Sequence, residues 1–376
     1  MINLENKNKI QEKAVQYWID NDYKGTIVVG TGVGKTRIGL MAIKQKFDEH
    51  IEKFPELKQY FQALIIVPTT NLRDNEWIKE CNKWYPELIP YLSIECIQTA
   101  YKWRKHYYPE DAGYNIMVID EIHTTLSAEH RKIYSLDLAH SMLGLTATPP
   151  HIEEYGELLS KICPIIYTLT TQEAVELGLV SDYEVVNIQV GFTRKEAAKY
   201  RTYTSMFTKA MGALGKEGNA FDAANKYKKE KSHPLYKVAS QFWTGMSMRR
   251  WVCYKAESKL QACVDIIQNT SRNKWIVFCQ HTDFADNLAD ALREKGIMAV
   301  SYHSKQKTKD RELILENAKS PLVKVICSAQ ALNTGYNLPD IDAAICAAGT
   351  GTELTFIQSR GQQSAHTYLI RWNLSL

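Results

Sequence analysis

Short, mainly apolar runs recur along the chain, separated by longer stretches with helical spacing. In the first half they are Thr26-Ile27-Val28, Ala63 to Val67 (ended by Pro68) and Ile116 to Ile119, with a weaker candidate at Ser93 to Thr99. In the second half they are Trp275 to Cys279, Met298 to His303, Val323 to Ser328 and Ala343 to Cys346. Such runs read as strands buried on both faces. Between them lie helical patterns: Asn8 to Ile19, a polar stretch from Ile38 to about Tyr60, Asp283 to Leu292, and Arg311 to Ala318. Thr69, Thr70 and Asn71 supply N-cap chemistry for a helix carrying Leu72, Trp77 and Ile78. Strands alternating with helices predict parallel α/β sheets.

Residues 194–259 break this alternation. They carry 15 Lys or Arg against 5 Asp or Glu, in a mostly helical pattern interrupted by Gly212, Gly215, Gly218 and Pro234. Aromatics such as Tyr200, Phe207, Trp243 and Trp251 are interleaved with the charges. Two readings stay open: phosphate contacts with base stacking, or a solvated helical linker whose aromatics pack on the second domain. Lys226, Lys228, Lys229 and Lys231 are the candidate phosphate contacts. The predicted fold is therefore α/β: parallel-sheet domains over 1–190 and 259–376, with a mainly helical basic insertion over 191–258.

The chemistry concentrates after the first strand. Val29-Gly30-Thr31-Gly32-Val33-Gly34-Lys35-Thr36 joins that strand to a helix, which is the setting a phosphate-binding loop requires. Glycines let several backbone N–H groups converge on one anion, and the helix adds its positive end. Gly30, Thr31, Gly32, Val33 and Gly34 would cradle the phosphates of ATP. Lys35 would reach the β- and γ-phosphates, and the Thr36 hydroxyl would hold Mg²⁺. The strict pattern has Gly where this chain has Val29. Gln11 either contacts a nucleotide base or is a surface glutamine. Some 85 residues after the loop, an apolar run ends in Asp120-Glu121-Ile122-His123. At a strand end Asp120 would hold Mg²⁺ through water, and Glu121 would activate the attacking water as general base.

Composition changes this picture little. The 376 residues are 45% hydrophobic and 23% charged, with a net charge of only +4. The eight cysteines include no C-x-x-C pair, so buried thiols in a reducing compartment are expected rather than a zinc or redox motif. No apolar run approaches the ~20 residues of a membrane span. The first residues show no export signal. A cytoplasmic protein without a membrane partner is expected.

A third motif, Leu143-Gly144-Leu145-Thr146-Ala147-Thr148-Pro149-Pro150, completes a resemblance. G-x-G-K-T, D-E-x-H and T-A-T-P, in this order and spacing, resemble the superfamily 2 helicases and translocases. The form is similar to the group containing XPB, RadD and UvsW, and the short build suits a bacterial or phage-encoded protein. Val-Pro-Thr at 67–69 looks like motif Ia, which would place Thr69 on nucleic acid. Ser328 to Pro339 looks like motif V, with Gly335 matching and Asn337 where Asp is usual. The resemblance implies two RecA-like domains that clamp one ATP, with His123, Thr146, Thr148, Gly335 and Gln358 coupling hydrolysis to movement. It also implies an ATP- and Mg²⁺-dependent enzyme acting on forked, branched or duplex DNA in recombination, repair or replication, working as a monomer. RNA helicases of the superfamily usually carry S-A-T, so DNA is the expected partner. Two rival readings are a duplex translocase that does not separate strands and a weakly hydrolysing, nucleotide-gated DNA-binding module.

The last motif departs most. Q-x-x-G-R-x-x-R is represented by Gln358-Ser359-Arg360-Gly361-Gln362-Gln363-Ser364-Ala365. Both family arginines are replaced. Either Arg360 serves as the arginine finger from a shifted position, or the ATPase is weak, or this C-terminal stretch is altered or truncated.

Overall fold

The computed structural model describes residues 4–30, 32–103, 113–150, 152–179, 184–329, 341–347 and 366–372. Thr31, Gly335, Gln358 and Arg360 lie outside these. The chain divides into two units, the first running to Tyr183 and the second opening at Glu184.

The first unit is built on six parallel strands: β1 (Lys24–Val29), β2 (Ala63–Val67), β3 (Leu92–Cys96), β4 (Tyr114–Asp120), β5 (Ala139–Thr146) and β6 (Ile165–Leu169). Their order is β3-β2-β4-β5-β1-β6. Helices α1 (Leu4–Asp20), α2 (Lys35–Lys53), α3 (Trp77–Trp84), α4 (Ile97–Ala100), α5 (Glu153–Ile162) and α6 (Thr171–Glu176) join or flank them. Helix α1 buries Gln11, Ala14, Val15 and Trp18, one stripe at i, i+3, i+4 and i+7. Every residue of β2 is buried, so an uninterrupted apolar run here means a sheet covered on both faces. The weaker strand candidate ends earlier than its pattern suggested, because α4 begins at Ile97.

The order of strands positions the chemistry. Strand β5 lies between β1 and β4. At ~4.8 Å per strand this separates the phosphate loop from the acids by about 10 Å. The link from β1 to β2 crosses in one direction and that from β5 to β6 in the other. Ligands of open α/β sheets bind at the carboxyl ends where connections diverge in this way.

The second unit also has six parallel strands: β7 (Glu184–Val190), β8 (Trp275–Cys279), β9 (Ala299–His303), β10 (Val325–Ala329), β11 (Ala343–Cys346) and β12 (His366–Trp372), in the order β7-β12-β11-β8-β10-β9. Its helices are α7 (Arg194–Leu214), α8 (Ala220–Tyr227), α9 (Tyr236–Tyr254), α10 (Glu257–Asn269), α11 (Thr282–Glu294) and α12 (Thr308–Ala318). Strand β7, which the sequence reading placed in the first domain by ending that domain at residue 190, pairs along its whole length with β12. An apolar strand pattern is the same whichever sheet it joins, and a partner nearly two hundred residues away decides it.

Helices α7 to α9 form the insertion, with a small core of their own around Phe207, Leu214, Ala224, Tyr227 and Phe242. Gly245 permits the close crossing of α7 and α9, since a Cβ there would sit 2.8 Å from the Phe207 backbone nitrogen. Glu196 ties the two ends of the insertion together. One carboxylate oxygen accepts the Thr193 N–H at 2.8 Å, closing the capping box of α7, and the other accepts the Glu257 N–H at 2.6 Å where α10 begins.

Candidate active site

The phosphate loop leaves β1 at Val29, which is wholly buried as the last residue of that strand. The residue that departs from the strict pattern therefore serves the core. Gly32 and Gly34 take φ of 92° and 101°, a region that a side chain would strain. Gly34 is also the N-cap of α2, and a Cβ on it would collide with the Gln11 amide.

Gln11 is not a surface glutamine: it is 1% exposed. Its amide nitrogen donates to the Val33 carbonyl at 2.7 Å, and its amide oxygen accepts from Arg37 Nη1 at 2.9 Å. Both ends of the amide hold the loop and the first turn of α2. Arg37, which the sequence reading did not single out, also lies over the Trp84 ring at 3.9 Å. Its one visible signal is its place directly after Thr36.

Lys35, the first residue of α2, reaches the acids at the end of β4. Its Nζ lies 3.1 Å from Glu121 Oε1, and the lysine side chain is only 10% exposed. Glu121 has left the strand pleat. Its φ of 51° is left-handed, which for a residue with a side chain marks a strained and over-determined position. Successive strand residues point to opposite faces, so this turn lets two adjacent acids serve one site.

The two carboxyls sit in different electrostatic surroundings. Burial pushes Asp120 up to about 6, and the neighbouring Glu121 charge adds to this, while Lys35 and the Trp77 indole draw it back. Burial also works to raise Glu121, yet Lys35 and His123 hold it below the usual carboxylate range. A nearly buried acid that resists ionisation lacks a full counter-charge. Asp120 therefore suits a hard cation with oxygen ligands, and with the half-buried Thr36 hydroxyl of α2 it would fit Mg²⁺.

Thr146, fully buried at the end of β5, joins the acids to the third motif. Its hydroxyl lies 2.8 Å from His123 Nδ1, 3.3 Å from Glu121 Oε2 and 2.9 Å from the Thr148 carbonyl, and it accepts the Thr148 N–H at 3.1 Å. One hydroxyl has one proton to give. Thr146 can donate to Glu121 or to Thr148, but not to both at once. The structure thus brings Lys35, Glu121, His123, Thr146 and Thr148 into one network. Thr69 stands apart from it, half-buried beyond β2, where its carbonyl accepts the Arg73 N–H.

Trp77 is a positioning residue whose role the sequence did not reveal. It is fully buried, and its indole N–H donates to Asp120 Oδ2 at 3.2 Å. Its ring lies where a Cβ on Gly39 of α2 would collide. Trp77→Phe keeps most of the packing and removes the donor. Where a carboxylate holds a metal, as proposed below for Asp120, losing such a partner typically costs about 10- to 100-fold. The expected result is a shift of the Mg²⁺ dependence of hydrolysis to at least about 10-fold higher concentration. An unchanged Mg²⁺ titration would reduce Trp77 to packing alone.

Fold and site together define a class: a phosphate-loop ATPase with two RecA-like α/β units. Sequence comparison narrows it. Residues 5–89 match the family of the type III restriction enzyme res subunit, and residues 258–363 match the helicase conserved C-terminal domain. The DNA 3'-5' translocase XPB2 of Sulfurisphaera tokodaii is 25% identical over 94% of this chain and 77% of its own length. Among solved structures, the Pyrococcus furiosus Hef helicase domain matches with a TM-score of 0.62 at 15% identity, covering 98% of this chain and 95% of that one. A Saccharomyces cerevisiae Dbp5 variant bound to RNA and ADP BeF3 gives 0.56 at 15% identity, covering 97% of this chain and 83% of that one. The two domain matches and the XPB2 relative together support a superfamily 2 helicase or translocase of XPB type, an ATP-hydrolysing class.

Proposed function

We propose that this ATPase drives movement along DNA, or remodelling of it, with Mg²⁺ as its cofactor. The observation that supports it most is the network from Lys35 through Glu121 to His123, Thr146 and Thr148. It connects the group that senses phosphate with the motif that would pass the signal on. The printed name of the XPB2 relative supports DNA as the track.

Lys35 is parked on Glu121 at 3.1 Å. Phosphates entering the loop attract Lys35, which frees the carboxylate to take a proton from water. The loop N–H groups and the N-terminus of α2 orient the anion. Mg²⁺ held near Thr36 and Asp120 would neutralise phosphate charge. As Glu121 loses its lysine, the Thr146 hydroxyl can turn to it and give up the Thr148 carbonyl, joining His123 and the Ala147 N–H beside the carboxylate. That exchange is a local two-state element through which hydrolysis reaches the rest of the protein. Gly335, Gln358 and Arg360 are proposed to complete the coupling and the transition-state charge, as the resemblance implies.

DNA would contact Thr69 and the insertion. Lys226, Lys228, Lys229 and Lys231 are all exposed, on the last turn of α8 and just after it. Among the described residues none of the four forms an ion pair. Neutralising all four should weaken DNA binding and lower the slope of log K against log salt by roughly 0.7 to 0.9 per lost contact. An unchanged slope would assign the cluster to a solvated face.

The deciding experiment is ATP turnover alone and with single-stranded, duplex, forked and four-way DNA and with RNA. Stimulation by DNA supports the proposal. Stimulation by RNA alone overturns the choice of track, and negligible turnover under every condition leaves a nucleotide-gated binding module. Strand separation on the fork then distinguishes a helicase from a duplex translocase.

A further inference from the structure

Helix α10 buries one stripe, Lys259, Cys263, Val264 and Ile267. The last three pack into the core of the second unit. The first is a lysine with 0% of its surface exposed. Taking an ammonium out of water is unfavourable, and burial accordingly pulls Lys259 below the ordinary lysine value. Lys259 is also the third residue of α10, in the turn where the helix dipole favours acids and opposes cations. A methionine would fill the same space with neither penalty, so the packing of α10 does not by itself select a lysine here.

What the lysine holds is a backbone carbonyl. Its Nζ donates to the oxygen of Ala347, the residue directly after β11, and lies 5.8 Å from the centre of the Phe284 ring. Ala347 is buried, and its N–H donates to the Phe278 carbonyl of β8 at 2.9 Å. Both polar groups of this residue are thereby fixed, the N–H by the sheet and the carbonyl by a side chain from α10. The start of α10 is itself anchored, because Glu196 of α7 accepts the Glu257 N–H at 2.6 Å and the Ser258 hydroxyl at 3.4 Å. Helix α10 leads into the amino end of β8, so it starts at the edge where the parallel strands end. In open α/β sheets that edge carries the chemistry. From Ala347 the chain runs on toward Gln358 and Arg360.

We propose that Lys259 is a positioning residue for ATP hydrolysis. By holding the Ala347 carbonyl it sets the point from which the chain approaches Gln358 and Arg360. The inference rests on the reading above, in which those two residues serve hydrolysis, and adds the side chain that fixes their approach. The nucleotide is held by the loop and acids of the first unit. Losing Lys259 should therefore lower kcat and leave KM for ATP unchanged, the signature of an interaction that matters only in the transition state.

The test uses the full chain and measures ATP turnover with DNA present, equilibrium nucleotide binding and thermal melting. Lys259→Met, which keeps the length and removes the donor, should lower kcat by up to about 100-fold, the scale of a 1 Å misplacement, with nucleotide affinity unchanged. Lys259→Arg, which still offers donors to the carbonyl, should recover most of the rate. Arg360→Ala should lower kcat as well, and the double variant should fall little below it, because both changes remove the same contribution. A lysine that serves only the fold would lower the melting temperature and leave kcat of the folded protein as it was, or add its loss in full to that of Arg360→Ala. Either result would overturn the positioning role while leaving the reading of Arg360 standing. Should Lys259→Met not fold, Lys259→Gln takes its place, and the same split of kcat from KM is expected in smaller size. A parent chain with negligible turnover, or one whose turnover neither Arg360→Ala nor Gln358→Ala changes, would overturn that reading and this inference with it.

Discussion

Glu121→Gln should leave ATP bound and slow its hydrolysis by about 10²- to 10⁴-fold, the usual worth of a general base. The amide has nearly the shape of the carboxylate, so the strained turn after β4 should survive. What disappears is the proton acceptor and the charge on which Lys35 is parked. A Lys35 without its anion is freer to meet phosphate, so ATP should bind at least as tightly as in the parent chain. Equilibrium binding of a fluorescent nucleotide beside single-turnover hydrolysis separates the two effects. Hydrolysis at the parent rate would remove Glu121 from the mechanism, and lost binding would make it a structural partner of Lys35.

Asp120→Asn should abolish hydrolysis and at the same time stabilise the nucleotide-free protein. Burial raises the folded Asp120 to about 6, against about 3.9 in an unfolded chain. For an acid raised on folding, the native state binds the extra proton. This group therefore costs nothing below pH ~4, and the native state loses stability as pH climbs to about 6. At pH 8 the cost of ionising it is on the order of 3 kcal/mol, and a neutral amide still accepts the Trp77 N–H. The variant should melt higher than the parent at pH 8 and no higher at pH 4. ATP with Mg²⁺ should stabilise the parent more than the variant, since only a carboxylate gains a counter-charge. A variant that melts lower at pH 8, or that shows the same offset at both pH values, would show that Asp120 is not the strained acid described here.

Both expectations concern residues found from sequence, yet their sizes come from contacts that sequence hides. The pair Asp120-Glu121 after an apolar run was legible because a strand end must stop being apolar where it meets a charged ligand. That Glu121 turns left-handed, that Lys35 rests on it, and that an indole from another helix holds Asp120 depend on distances across three elements. Gln11 illustrates the same limit. Its spacing within α1 puts it on the buried stripe, but a polar residue there makes sense only once the Val33 carbonyl and Arg37 are seen beside it.

The sequence by itself determined the local chemistry: where many of the strands and helices fall, though not β5, β6, β7 or β12, and the glycine loop, the acid pair, the T-A-T-P motif and the basic insertion. Each is written in a short window, because strand burial, backbone turns and charge are properties of neighbours along the chain. Tertiary structure decided the rest. It assigned β7 to the second sheet, since backbone hydrogen bonds do not depend on side-chain pattern and the choice lies with β12. It placed β5 between the loop and the acids, setting the width of the site. It set Lys259 of α10 against the Ala347 carbonyl at the end of β11. Such assemblies depend on which surfaces meet, and that is fixed by packing the whole chain at once.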